Sequence, residues 1–318
     1  MKRVFTVLAL LIVVLLAAGG WYVYSKQPTR QGQVELRNLQ GSVTVRYDER
    51  GVPHIRAENE TDLYRALGYV HAQDRLFQME AMRRLARGEL AEVLGPKLLD
   101  TDKLFRSLRI RERAASYVAG LDKQSPAWKA LQAYLDGINQ YQDSHAAPVE
   151  FDVLGIPKRP FTAEDSISVA GYMAYSFAAA FRTEPLLTYV RDQLGADYLN
   201  VFDLDWQPKG VLAKGHAGTA PALAAEDWKD LNTLARVSEQ ALIDNGLPQF
   251  EGSNAWVIAG SHSKSAKPLL AGDPHIRFSV PSVWYEAQLS APGFELYGHH
   301  QALVPFAFLG HNLDFGWS

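Results

Sequence analysis

The chain has 318 residues, 47% hydrophobic and 21% charged, the balance of a folded protein with one large or two smaller domains rather than a disordered one. A formal net charge of −3 gives no electrostatic basis for binding nucleic acid. The absence of cysteine excludes disulfides, thiol catalysis and thiolate metal sites together.

At the N-terminus, Lys2 and Arg3 precede an apolar run from Val4 to Ala18, the charge-then-hydrophobe order of an export signal. Small residues Ala17 to Gly20 offer cleavage sites, whereas Trp21-Tyr22-Val23-Tyr24 prolong the apolar stretch to about 20 residues, enough to span a bilayer. Residues 1–25 therefore read as a signal peptide or an N-terminal anchor. Either reading puts the rest of the chain in a periplasmic or other extracytoplasmic space, with a membrane as partner only if the segment is kept.

Apolar–polar alternation from Gly41 to Asp48 predicts a half-buried strand, with a turn at Asp48-Glu49-Arg50-Gly51 and a returning strand over residues 52–57. A long helix is expected next. Asn59 or Thr61 caps it, leucines at 63, 67, 85, 90 and 94 recur near helical spacing, and Gly95-Pro96 stops it. Amphipathic helices follow at 104–119 and at 126–144, the second opened by Ser125-Pro126. Residues 148–160 read as a proline-punctuated loop, and further helices are expected at 163–180 and 184–194. Small and turn residues then dominate up to about 222, followed by one exposed helix at 227–241 and a break at Asn245-Gly246-Leu247-Pro248. Beyond this the character is β, with strands expected at 254–259, 268–271, 284–289 and 294–298.

The candidate nucleophile lies where the two characters meet, in Glu251-Gly252-Ser253-Asn254-Ala255-Trp256. If the bond before Ser253 is cut, the serine gains an α-amine whose ordinary pKa, about 7.7–8.0, makes it a base a few bonds from the hydroxyl. Glycine at 252 permits the strained backbone that a self-cleaving bond requires. Gly-Ser alone is a common turn, and other motifs must support it. Rival signals are weak: Ser261-His262-Ser263-Lys264 has a β-lactamase spacing but falls in a turn.

That support comes from several motifs in order: Asp48-Glu49-Arg50-Gly51-Val52-Pro53-His54-Ile55, the stretch Gly68 to Glu80, Gly88-Glu89-Leu90-Ala91-Glu92, Gly252-Ser253-Asn254-Ala255-Trp256, Gly272-Asp273-Pro274-His275 and Gly310-His311-Asn312. Together they resemble the penicillin acylase family of N-terminal-nucleophile hydrolases, which includes acyl-homoserine lactone acylases, from about residue 40 onward. The resemblance implies an α+β fold, the αββα sandwich. It also implies a precursor that cuts itself at Gly252–Ser253, giving a non-covalent heterodimer of α and β subunits. On that basis residues 26–208 are the mostly helical α region, 209–252 a spacer, and 253–318 the start of the β region.

The implied substrates are N-acyl homoserine lactones or penicillin-type acyl amides, cleaved by Ser253 through an acyl-enzyme, with no organic cofactor. His275 stands where the family places a residue that contacts the nucleophile region or helps the oxyanion site through its backbone. Glu184 stands where a glutamate helps hold a structural calcium. His71 and Asp74 are expected to be structural, and His299-His300 to face opposite ways along a strand. Family members are more than twice as long as this chain, so the sequence is expected to be truncated. The residue completing the oxyanion site and the asparagine orienting the amine are expected beyond Ser318, which would leave these 318 residues inactive alone. The rival reading is a non-catalytic, membrane-anchored helical binding domain that keeps the motifs.

Overall fold

A computed structural model describes residues 2–177, 179–202, 225–244 and 250–318. Helix α1 (Lys2–Ser25) leads into strands β1 (Thr44–Tyr47) and β2 (Pro53–Arg56). The Asp48 carboxylate builds the turn between them by accepting the backbone N–H groups of Arg50 and Val52, each at 2.9 Å. Helix α2 (Glu60–Arg87) starts as expected: the Asn59 side chain accepts from Asp62 N at 2.8 Å.

Helix α2 ends earlier than the hydrophobic spacing predicts. Gly88, at φ 66°, takes the left-handed turn, and the N–H of Glu89 closes back on the Arg84 carbonyl at 2.8 Å. A separate short helix α3 (Ala91–Leu94) carries the remaining leucine spacing. The Asp102 carboxylate starts it, accepting Leu90 N and Ala91 N at 2.9 and 2.8 Å. The single helix expected at 104–119 is likewise two, α4 (Leu99–Ser107) and α5 (Ile110–Gly120), broken where Arg109 adopts φ 56°. Helix α6 (Pro126–Ser144) has the predicted bounds, and Ser125 caps it. The expected loop contains a short helix α7 (Val149–Leu154), closed by Gly155 at φ 64°. Helices α8 (Ala163–Phe177), α9 (Ala179–Leu194) and α10 (Ala225–Asp244) complete the helical half.

The central packing unit is the antiparallel pair α2–α6. A Cβ on Gly68 would lie 1.9 Å from the Tyr134 carbonyl oxygen, and one on Gly137 1.9 Å from that of Arg65, so the two backbones touch at both glycines. Leu63, Leu67, Tyr134 and Ile138 are buried near this crossing, each large apolar side chain contributing about 1.5–3 kcal/mol. The α10 helix packs on α4, and Ala241 reaches the core. All of α10 lies inside the expected spacer; residues 209–224 and 245–249 of that spacer lie outside the described residues.

Downstream come β3 (Phe250–Ile258), β4 (Leu269–Ile276), β5 (Tyr285–Ala291), β6 (Phe294–His300), β7 (Leu309–His311) and β8 (Gly316–Trp317). Six of the strands form one sheet in the order β1-β2-β5-β6-β7-β8, while β3 and β4 form a separate antiparallel ribbon. In the larger sheet β2 pairs in parallel with β5, so strands from either side of Ser253 share one hydrogen-bonded ladder. Helices upstream and antiparallel strands downstream make the chain α+β.

Candidate active site

Ser253 sits near the start of β3, one residue past a register irregularity between Phe250 and Gly252. Gly252 adopts φ 156°, a value other residues rarely take, with open space where a Cβ would stand. Across the ladder Gly252 faces His275, Ser253 faces Pro274 and Asn254 faces Asp273. Ser253 is exposed, and its hydroxyl makes no hydrogen bond among the described residues.

Strand alternation separates the two expected catalytic positions. The His275 ring stands with Asp273 at 3.0 Å and Asn254 at 3.3 Å, both meeting Nε2. One Nε2 cannot donate to a carboxylate and accept from an amide at once, so the shorter contact to Asp273 is the hydrogen bond. Ser253 lies one residue from Asn254 and therefore points to the opposite face of the ribbon. His275 thus approaches the Gly252–Ser253 bond through its backbone, with its side chain turned away from the hydroxyl. The motifs alone do not reveal Asn254 and Asp273 as its partners; the register of the β3–β4 hairpin is the signal for them.

The ribbon is bordered by α8 on the β3 side. On the β4 side, a Cβ at Gly272 would lie 1.8 Å from Ser318 Oγ, so Ser318 lies against the strand that carries His275. A hollow of about 670 Å³ opens elsewhere, lined by Tyr64, Phe294, Phe306, Phe315 and Trp317, and includes neither Ser253 nor His275.

Several of the remaining motif residues are structural. Fully buried Glu80 accepts Arg83 and Arg84, the latter at 2.7 Å, with Arg159 at 3.5 Å. Glu89 holds Arg87 at 3.1 Å, and Arg87 also reaches Asp165 at 3.0 Å. These ion pairs fix the end of α2 where Gly88 turns. His71 and Asp74 are structural as expected: His71 Nδ1 meets the Tyr134 hydroxyl at 2.8 Å, and Asp74 accepts from Tyr285 at 2.8 Å and Arg30 at 2.7 Å. The Tyr285 ring stacks on His71 at 4.1 Å, tying β5 to α2 across the proposed cut.

His299 and His300 do face opposite ways: His299 reaches Glu286 at 3.1 Å, while His300 is fully buried. Burial pushes His300 down to about 4, and lowers His71 well below its ordinary value with help from His300 and Arg75. Glu184 lies in α9, its side chain outside the described residues. Among the described residues no group of three or more histidines and carboxylates gathers as metal ligands.

The penicillin amidase family model matches residues 42–318. The chain is 32% identical over 293 residues to penicillin acylase 2 proenzyme of Pseudomonas sp. strain SE83, covering 90% of this chain and 37% of that relative. It is 28% identical over 306 residues to the acyl-homoserine lactone acylase QuiP of Pseudomonas aeruginosa, covering 93% and 35%. It is 29% identical over 322 residues to penicillin G acylase of Escherichia coli, covering 85% and 38%. The chain thus spans little more than a third of the length of these relatives. Among solved structures, a thermostable penicillin G acylase from Alcaligenes faecalis aligns with a TM-score of 0.44 at 27% identity, covering 58% of this chain and all of that one. With its family motifs distributed from the β1–β2 turn to β7, the chain belongs to the penicillin amidase family.

Proposed function

We propose that the protein is an acylase that matures by cutting its own Gly252–Ser253 bond and then hydrolyses acyl amides with Ser253. The observation that carries this reading is the placement of Ser253 directly after a glycine at φ 156°, at the head of a strand, within a chain matched to the family along 42–318. In the first reaction Ser253 Oγ attacks the Gly252 carbonyl carbon and the C–N bond breaks, leaving an ester and a free amine at 253. Water then cleaves the ester, releasing the Gly252 carboxylate and regenerating the hydroxyl.

The liberated amine serves as the base for the second reaction. It takes the hydroxyl proton as Oγ attacks the substrate carbonyl, then returns it to the leaving amine, and water hydrolyses the acyl-enzyme. Donors aimed at the tetrahedral oxyanion contribute about 10²–10³ in rate each in a well-studied protease. In this reading the backbone at His275, paired across the ladder with Gly252, helps form that site. After the cut, the two pieces are held by the β2–β5 ladder and by Tyr285 on Asp74 and His71.

The names of the relatives point to two substrate classes, N-acyl homoserine lactones and penicillins. Product release from a panel of both, by protein expressed from its complete reading frame, tests the reading. Hydrolysis that vanishes in Ser253→Ala supports it; binding without hydrolysis, or hydrolysis that survives Ser253→Ala, rejects it. The second reading, a membrane-anchored binding domain without catalysis, draws on the exposed α1 and the open position of Ser253, and binding without turnover supports it.

A further inference from the structure

Helix α1 and the residues after it carry a feature separate from the hydrolytic chemistry. Arg3–Ser25 forms 23 helical residues, within which the most apolar 18-residue window has mean hydropathy 2.6 and is not buried on the body. At 1.5 Å per residue this helix is about 35 Å long, enough to cross a hydrocarbon layer of about 30 Å. Lys2 and Arg3 at one end, and Trp21, Tyr22 and Tyr24 at the other, match the charge and aromatic placement of a spanning helix.

The second observation is how the body receives the helix. The Lys26 ammonium bonds Asp152 of α7 at 2.6 Å and the Ala147 carbonyl at 3.0 Å, and sits 5.2 Å from the centre of the Tyr22 ring. The Tyr22 hydroxyl also donates to Asp152. Four residues on, Arg30 bonds the nearly buried Asp74 of α2 at 2.7 Å and lies over the Tyr47 ring at 5.3 Å. Two successive cations therefore clamp the chain to α7 and α2 as soon as the helix ends, fixing where α1 leaves the body. Cutting among Ala17 to Gly20 would also leave Trp21 and Tyr24, 72% and 71% exposed, as an uncovered aromatic stub in water.

We propose that α1 is retained as an anchor in a phospholipid bilayer and that the Lys26–Asp152 clamp holds the α7 face of the body against the lipid headgroups. Beside Asp152 stands Val153, 76% exposed, an apolar side chain suited to that boundary. The basic end of α1 stays on the cytoplasmic side, so the body lies outside the cytoplasm.

The lack of native cysteine makes a direct test clean. Protein made with its own N-terminus is recovered from bacterial membranes and the N-terminus of the piece bearing α2 is sequenced. Val153→Cys, carrying an environment-sensitive dye, is then placed in phosphatidylethanolamine–phosphatidylglycerol vesicles containing spin-labelled lipid. The expected result is an α2-bearing piece that still carries α1, a dye quenched at 153, and loss of that quenching when Lys26→Ala and Asp152→Ala are added with α1 still attached. A mature N-terminus among residues 18–21, or no quenching at 153, overturns the proposal. Quenching indifferent to the clamp substitutions overturns the assigned pose.

Discussion

Replacing Gly137 with alanine tests the packing on which the helical half depends. The added Cβ would lie 1.9 Å from the Arg65 carbonyl oxygen and 2.8 Å from Tyr69 N, where ordinary contact begins at 3.4 Å, a deficit of about 1.5 Å. Both obstacles are backbone of α2, so no side chain can swing aside, and relief requires the helices to part. Parting strains the Arg65–Asp136 ion pair at 2.8 Å and the Tyr134–His71 contact at 2.8 Å, which sit on either side of the crossing. Against this, alanine favours a helix interior over glycine by about 1 kcal/mol. Overpacking typically costs about 1–3 kcal/mol, and separating a closely seated helix pair puts this site at the upper end or beyond it.

A net loss of about 2 kcal/mol is expected, out of a total stability of about 5–15 kcal/mol, which lowers the melting temperature by several degrees. Thermal denaturation followed by far-ultraviolet circular dichroism measures it. Gly120→Ala is the control, because a Cβ there meets nothing within 4 Å, and it should melt at or slightly above the parent. A Gly137→Ala protein that melts with the control, above the parent, would refute the close crossing.

Two further outcomes follow from buried charge. Unfolded histidine binds a proton below about pH 6.5, whereas native His300 resists until about 4, so the unfolded state gains protons first as acid is added. Stability from His300 is therefore complete above about pH 6.5 and lost as pH falls toward its folded value, on the order of 3 kcal/mol in all, with His71 adding in the same direction. Denaturation midpoints compared for parent and His300→Asn should show a shallower acid slope in the variant; equal slopes contradict the assignment. Glu80→Ala strands the buried guanidiniums of Arg83 and Arg84 and should cost about 3–5 kcal/mol in urea unfolding, where a loss below about 1 kcal/mol would show that the network is solvated.

Local chemistry made much of this fold legible. Ser125-Pro126 set the start of α6, Asn59 the start of α2, and Asp48 the β1–β2 turn, because in each case the deciding hydrogen bond is made within four residues. What the sequence hid depends on distant partners or unusual backbone. The end of α2 rests on Gly88 and on Asp102, which starts the next helix from more than ten residues away. The break between α4 and α5 rests on Arg109, a residue type with no preference for positive φ. Strands β7 and β8 are only three and two residues long, too short for alternation to register. At the candidate site the Gly-Ser junction and the motif holding His275 were both readable. The face on which His275 stands was not, because it follows from the pairing of Asn254 with Asp273.

The central claim is that Ser253 becomes a catalyst by becoming an N-terminus. Edman or mass-spectrometric sequencing of the mature protein, purified from cells that show acylase activity, tests it most directly. The account predicts a polypeptide beginning Ser253-Asn254-Ala255-Trp256, absent from Ser253→Ala, which stays uncut and inactive. Active protein in which Gly252 and Ser253 remain joined would contradict it.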